Sequence, residues 1–233
     1  MHCAQRLIVF AALTVLSSSG FANTILTFDI PGASGFDFIP QDYGDNVTTS
    51  PDGNGFLYGG TKDTPNITVE YRAVETDGAT TDLPDLSFWD FFYGDLLNVA
   101  FANQVTGSGY AEIRLLPAVG HAVTLNSFDL GGWPAADRPV ETVRVLNDSF
   151  GVLRDFTPWT ARGNGHDTFN IGITSSTPIR IQWGLNAVFV GIDNVNFSQN
   201  NGTVQPIPEP TTWTLFAAGL LGLALLRKKR PAT

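Results

Sequence analysis

The sequence predicts an all-β fold, an antiparallel β-sandwich, carried between an N-terminal signal helix and a single C-terminal transmembrane helix. Nine short apolar or alternating runs follow one another between residues 24 and 197, with almost nothing at helical period. The 24 Gly and 14 Pro, together with Asn and Asp clusters, punctuate these runs where turns are needed. Only the two ends break the pattern, each with an uncharged apolar stretch too long for a strand.

The N-terminus carries Arg6, then the apolar run Leu7 to Leu16, then small residues ending in Gly20-Phe21-Ala22. A charged start, a short apolar core and small residues at −3 and −1 form a secretory signal peptide over residues 1–22. The expected strands are Thr24 to Ile30, Asn66 to Arg72, Asn98 to Ala102, Tyr110 to Leu116, Ala122 to Leu130, Val140 to Leu146, Thr168 to Ile173, Pro178 to Trp183 and Ala187 to Phe197. In the second of these Ile67, Val69 and Tyr71 share one face, with Thr68, Glu70 and Arg72 on the other. Pro31 to Pro65 lacks a clear strand and is rich in Gly, Asp and Asn, which marks it as a loop to inspect for function. These runs form one domain over residues 23–198, and the polar, Pro-containing stretch 199–207 reads as a flexible linker.

Sixteen uncharged residues, Thr211 to Leu226, come next. As a helix they reach about 24 Å, against a hydrocarbon core of roughly 30 Å. Trp213 at one interface and Arg227, Lys228, Lys229 and Arg230 at the other make a span feasible, with the basic cluster on the cytoplasmic side and the domain outside the inner membrane. Signal peptide and stop-transfer segment therefore agree on one topology.

Charge and cysteine narrow the function. All 22 Asp+Glu but only eight of the 13 Lys+Arg lie between residues 23 and 210, so that body carries −14. Nucleic acid is a poor partner for it, since phosphate binding needs a basic face. The single cysteine, Cys3, falls in the signal peptide, which excludes disulfides, thiolate metal sites and cysteine nucleophiles from the body.

Pro208-Glu209-Pro210, a Leu/Gly-rich apolar helix and a terminal Arg/Lys cluster together resemble the PEP-CTERM sorting signal of exported proteins in Gram-negative bacteria that make extracellular polysaccharide. The resemblance covers residues 208–233 and implies recognition by an exosortase, a membrane cysteine transpeptidase, followed by delivery to the cell surface or extracellular matrix. Glu209 would then be recognised rather than act as a catalyst. An uncut C-terminal anchor predicts the same topology. The fragments "IPQDYGDNV", "TPNITVEY" and "YGDLLNVAF" are also similar to a body type found in other proteins with this signal.

The body further resembles the galactose-binding-like jelly roll of carbohydrate-binding modules, through the "FD" of "TILTFDI", through "SFDLGGW" and through "GIDNVNF". In that fold a structural calcium sits where an acidic residue near the N-terminus meets one in the last strand. Asp29 and Asp193 occupy those places. Each carboxylate interrupts an apolar alternation, which is costly unless it is paired or bound to a cation. Accepting hydrogen bonds from turn amides would satisfy them equally.

Aromatic residues point the same way. "FWDFFY", Phe88 to Tyr93, sets five aromatics in six positions, and strict alternation cannot bury them all. Trp89 and Trp133 are the candidate platform for a sugar, whose C–H face stacks on a ring, although aromatics in a sandwich also build its core. No catalytic residue stands out: His121 and His166 lie in no metal-binding pair and no nucleophile elbow occurs. The expectation is a non-enzymatic polysaccharide-binding protein of the surface or matrix. The alternatives are a structural matrix component and a glycan-active hydrolase built on two carboxylates.

Overall fold

Alternation decides the sheets. In a computed structural model that describes residues 22–48, 64–74, 86–103 and 109–201, every second residue from Ile67 to Ala73 is buried and those between face outward. Thirteen strands are described, in chain order β1 (Ala22–Leu26), β2 (Ile67–Val74), β3 (Ser87–Trp89), β4 (Val99–Phe101), β5 (Tyr110–Pro117), β6 (His121–Gly132), β7 (Arg138–Val140), β8 (Thr142–Asn147), β9 (Val152–Asp155), β10 (Trp159–Ala161), β11 (His166–Ser175), β12 (Ile179–Gly184) and β13 (Val190–Asn201). All pairings are antiparallel.

One sheet runs β11-β6-β13-β4-β3, with β1 also on β13; the other runs β2-β5-β12-β8-β9; β7 and β10 form a separate ribbon. First and last strands meet as expected, Leu26 lying opposite Val195. The two sheets bury one core between them, in which Tyr71, Ile113, Ile181 and Trp183 face Leu125, Phe128, Leu130, Ile192 and Phe197. Each such side chain removed from water contributes on the order of 1.5–3 kcal/mol, which suits a domain without disulfides. Trp183 donates its indole N–H to the Val190 carbonyl at 2.8 Å and belongs wholly to this core.

Four strands escape the sequence reading, β3, β7, β9 and β10, each three or four residues long. Segments so short carry little periodicity of their own and exist through their partners. The expected strand Val140 to Leu146 is in fact broken at Glu141 into β7 and β8, which belong to different sheets. The expected strand Ala187 to Phe197 begins only at Val190, so residues 185–189 are free to form a loop. The signal helix and the transmembrane helix over 211–226 lie outside the described residues.

Candidate functional site

Two neighbouring features gather the residues singled out above. The first is an aromatic cleft of about 170 Å³ on the outer face of the six-stranded sheet, walled by Trp89, Trp133, Phe36, Tyr93, Phe101 and Phe189, with Asn103 and Val188 completing it. Trp89 of β3 and Phe101 of β4 stand on one face of their antiparallel pair, where Trp89 lies opposite Val99, and Trp133 follows immediately on β6, so the three rings line one cleft. The rings of Trp89 and Trp133 lie 6.4 Å apart and nearly perpendicular, at 83°. Their edge-to-face packing is a favourable aromatic geometry.

The loop 185–189 supplies the opposite wall. Phe189 stacks on Trp133 at 6.0 Å and 13°, and the Arg138 guanidinium covers Phe189 at 4.6 Å while its Nε donates to the Trp133 carbonyl at 2.6 Å. Tyr93 donates its hydroxyl to the Val188 carbonyl at 2.8 Å. Burial holds that phenol far above its ordinary range, so it remains a donor at any physiological pH. The loop 31–38 closes the near side because Gly35 has no side chain: a Cβ there would lie 2.7 Å from the Trp89 ring.

The rim of this cleft is unusual for a soluble surface. Phe36 is 54% exposed and Phe92 57% exposed, and both have φ near +70°, where L-residues are disfavoured. Phe91 is exposed as well and packs against both Phe92 and Trp89. Inside, the indole N–H groups of Trp89 and Trp133 are buried without an acceptor. Exposed rings, strained backbone and unpaired donors all cost stability, and all three coincide here.

The second feature is acidic. Asp193 of β13 is directly opposite Asp129 of β6, at a point where the register shifts and Asn194 turns to a positive φ of 50°. Such a bulge re-aims side chains, and Asn is among the residues that tolerate it. Asn194 donates its backbone N–H to Asp193 at 2.6 Å and its amide to Asp129 at 2.9 Å. Asp29, just past β1, takes an amide hydrogen bond from Asn98 and remains exposed. Burial, opposed by the Asn194 hydrogen bond and reinforced by the charges of Asp129 and Asp29, pushes the Asp193 carboxyl up from 3.8 to about 8. His166 joins the group, with Nδ1 2.8 Å from Asp95 and Nε2 3.9 Å from Asp129.

Of the two sequence-predicted pairs, the rings of Trp89 and Trp133 touch, whereas Asp29 is exposed and bound to Asn98 and the buried Asp193 lies opposite Asp129. Asp129 went unnoticed in the sequence, although it interrupts the apolar run Phe128 to Leu130 just as Asp193 interrupts its own strand. Among the described residues, no three acidic or histidine side chains converge as a metal-holding set, and amides of Asn98 and Asn194 occupy part of the carboxylate capacity.

Residues 206–230 match the model of the PEP-CTERM protein-sorting motif. This segment carries a sorting signal. It contains Pro208, Glu209, Pro210 and the basic residues Arg227 to Arg230, and it implies handling by exosortase-type machinery in the cell envelope. No curated protein matches the chain. Similar solved structures include an exo-β-1,3-galactanase from Phanerochaete chrysosporium with β-1,3-galactotriose, at 12% identity and TM-score 0.31 over 63% of this chain and 31% of that one. Another is the enzymatically active domain of bacteriophage CBA120 tailspike protein 4, at 14% identity and TM-score 0.30 over 58% of this chain and 19% of that one. The chain therefore spans less than a third of either protein.

Proposed function

We propose that this protein is exported, sorted through its C-terminal motif to the cell surface or extracellular matrix, and there binds a neutral polysaccharide without cleaving it. The observation that carries this is the convergence of Trp89 and Trp133, distant in sequence, as perpendicular walls of one aromatic cleft. Rings set at right angles can grip the C–H face and the edge of a sugar ring together. Asn103 adds a polar group at the wall. The acidic body disfavours uronic or sulfated polymers, since their charges would meet like charges.

The fold assigned with this activity is the galactose-binding-like jelly roll, supported by the meeting of β1 and β13. A structural calcium held by Asp29 and Asp193 belongs to the same proposal. Its support is the buried Asp193 carboxylate directly opposite Asp129, a meeting of like charge that a divalent cation would relieve.

A pull-down of the full chain on polysaccharide from extracellular matrix tests the binding, with Trp89→Ala and Trp133→Ala as controls. Retention lost in both variants, with folding intact by circular dichroism, is the expected outcome. No retention of the unaltered chain on any glycan would overturn the proposal. It would favour a structural matrix component instead, packing through the exposed Phe36, Phe91, Phe92 and Leu97. Release of reducing sugar from the same material would assign a hydrolase.

A further inference from the structure

A second cleft, of about 500 Å³, opens beside the ribbon of β7 and β10 and is lined by Trp159, Glu141, Thr160, Arg162, Asp167 and Pro139 among others. Its chemistry differs from that of the aromatic cleft. Trp159 is half-buried and held edge-on against the buried ring of Phe169, at 5.0 Å and 80°. Around it stand hydrogen-bonding groups of both kinds: Glu141 and Asp167 accept, Arg162 donates and Thr160 does either. Arg162 pairs with Asp167 at 2.9 Å, so its charge is already matched, and Glu141 repels anions. An aromatic ring among hydroxyl-binding groups with no free positive charge selects a neutral, hydroxyl-rich ligand.

Strand β7 touches both clefts. Arg138 at the start of β7 covers Phe189 and binds the Trp133 carbonyl of the aromatic cleft, whereas Pro139 and Val140 of the same strand line the second. Arg138 and Val140 are about 7 Å apart along an extended strand. The segments behind them are also tied: the Gly132 N–H binds the Arg162 carbonyl at 2.9 Å, and the Gly163 N–H binds Asp137 at 3.0 Å. Trp159 pairs with Val140 of β7, and Arg138 of the same strand binds the Trp133 carbonyl.

Resting on the polysaccharide reading above, we infer that the second cleft is a further subsite for the same chain of sugars, so that one polymer crosses β7 and occupies both clefts. Contiguous subsites make the second contact intramolecular, which raises affinity steeply once the ligand is long enough. The probe is the neutral polysaccharide retained in the pull-down, partially hydrolysed and separated by length, titrated against the full chain by calorimetry. Affinity is expected to rise at least ~10-fold at a threshold length. Trp159→Ala and the surface variant Arg162→Ala should each remove that rise and leave the affinity for the shortest bound oligosaccharide unchanged.

Affinity independent of length, or variants that weaken short and long ligands equally, would overturn the second subsite while the aromatic cleft stands. Failure to bind at every length would instead remove the polysaccharide reading itself. Arg162 is well exposed, and Arg162→Ala therefore tests the subsite even if Trp159→Ala perturbs the ribbon.

Discussion

The outer face of the five-stranded sheet and the aromatic cluster on the other sheet both place costly groups, one chiefly through charge and the other chiefly through exposed rings. On the sheet, Glu112 is 1% exposed but receives Arg180 at 2.8 Å and Gln182 at 2.6 Å. Arg180 and Arg114 both reach Asp148, and Arg114 also binds Glu70. Only the Nε atoms of the two arginines are left over. At the aromatic cluster, rings are exposed, two phenylalanines sit at positive φ and two indole donors have no acceptor. The first region pairs its charges side by side and leaves only exposed Phe150 over Arg180, whereas the second gathers a cluster of exposed rings around two indole donors.

Breaking the scaffold should have the largest effect. Glu112→Ala leaves the Gln182 amide without its partner and Arg180 with Asp148 alone, and should lower unfolding free energy by about 3 kcal/mol, read from urea denaturation. Glycan retention should survive wherever the variant remains folded. A loss near zero would mean that the ladder is solvated and the contrast unfounded.

Gly35→Ala acts at the boundary between the two regions. The new methyl would press on the Trp89 ring and should cost about 1–3 kcal/mol while also abolishing retention, because the loop 31–38 or the indole must move. Retention at the level of the unaltered chain would show that Trp89 is not part of the binding surface.

The acidic feature gives a dependence on pH. The Asp193 carboxyl is raised from 3.8 to about 8, so between those values the folded protein keeps a proton that the unfolded chain releases. The contribution of Asp193 is therefore complete below the ordinary carboxylate range and is lost as pH rises toward 8, with a limiting slope of about 1.4 kcal/mol per pH unit. Asp193→Asn should flatten the profile. Bound calcium would do the same by favouring the carboxylate, and EDTA would restore the slope and lower the melting temperature at pH 8. A melting temperature unchanged by both EDTA and added calcium would remove the cation from Asp29 and Asp193.

The smallest effect carries a distinctive sign. Phe92→Gly relieves a positive φ and removes an exposed ring, and it should stabilise the protein by up to about 1 kcal/mol in thermal unfolding. Glycan retention should weaken at the same time. Stability gained without any loss of binding would leave the strained rim without a role in recognition.

Much of the scaffold was legible in the chain because alternation is a local property. Ile67, Val69 and Tyr71 share a face whatever they pack against, and the prediction holds residue by residue. β7 resisted prediction because Pro139 interrupts three residues whose only support is β10. The site was half legible. Trp89 and Trp133 stood out as aromatics beside turn residues, but nothing in their local sequence relates one to the other. Phe189 fell within an expected strand, and only the late start of β13 frees it to stack on Trp133.

Export, the sorting segment at residues 206–230, the acidic body without cysteine and the all-β character were written in the sequence, since each depends on composition or on the order of neighbouring residues. Tertiary structure alone decided which carboxylates share a site and which rings form a cleft. Asp193 meets Asp129 in the β13–β6 ladder, and Trp89 meets Trp133 on the outer face of the same sheet. Such meetings depend on how distant strands pair, and pairing is set by burial of the whole core rather than by any one stretch of chain.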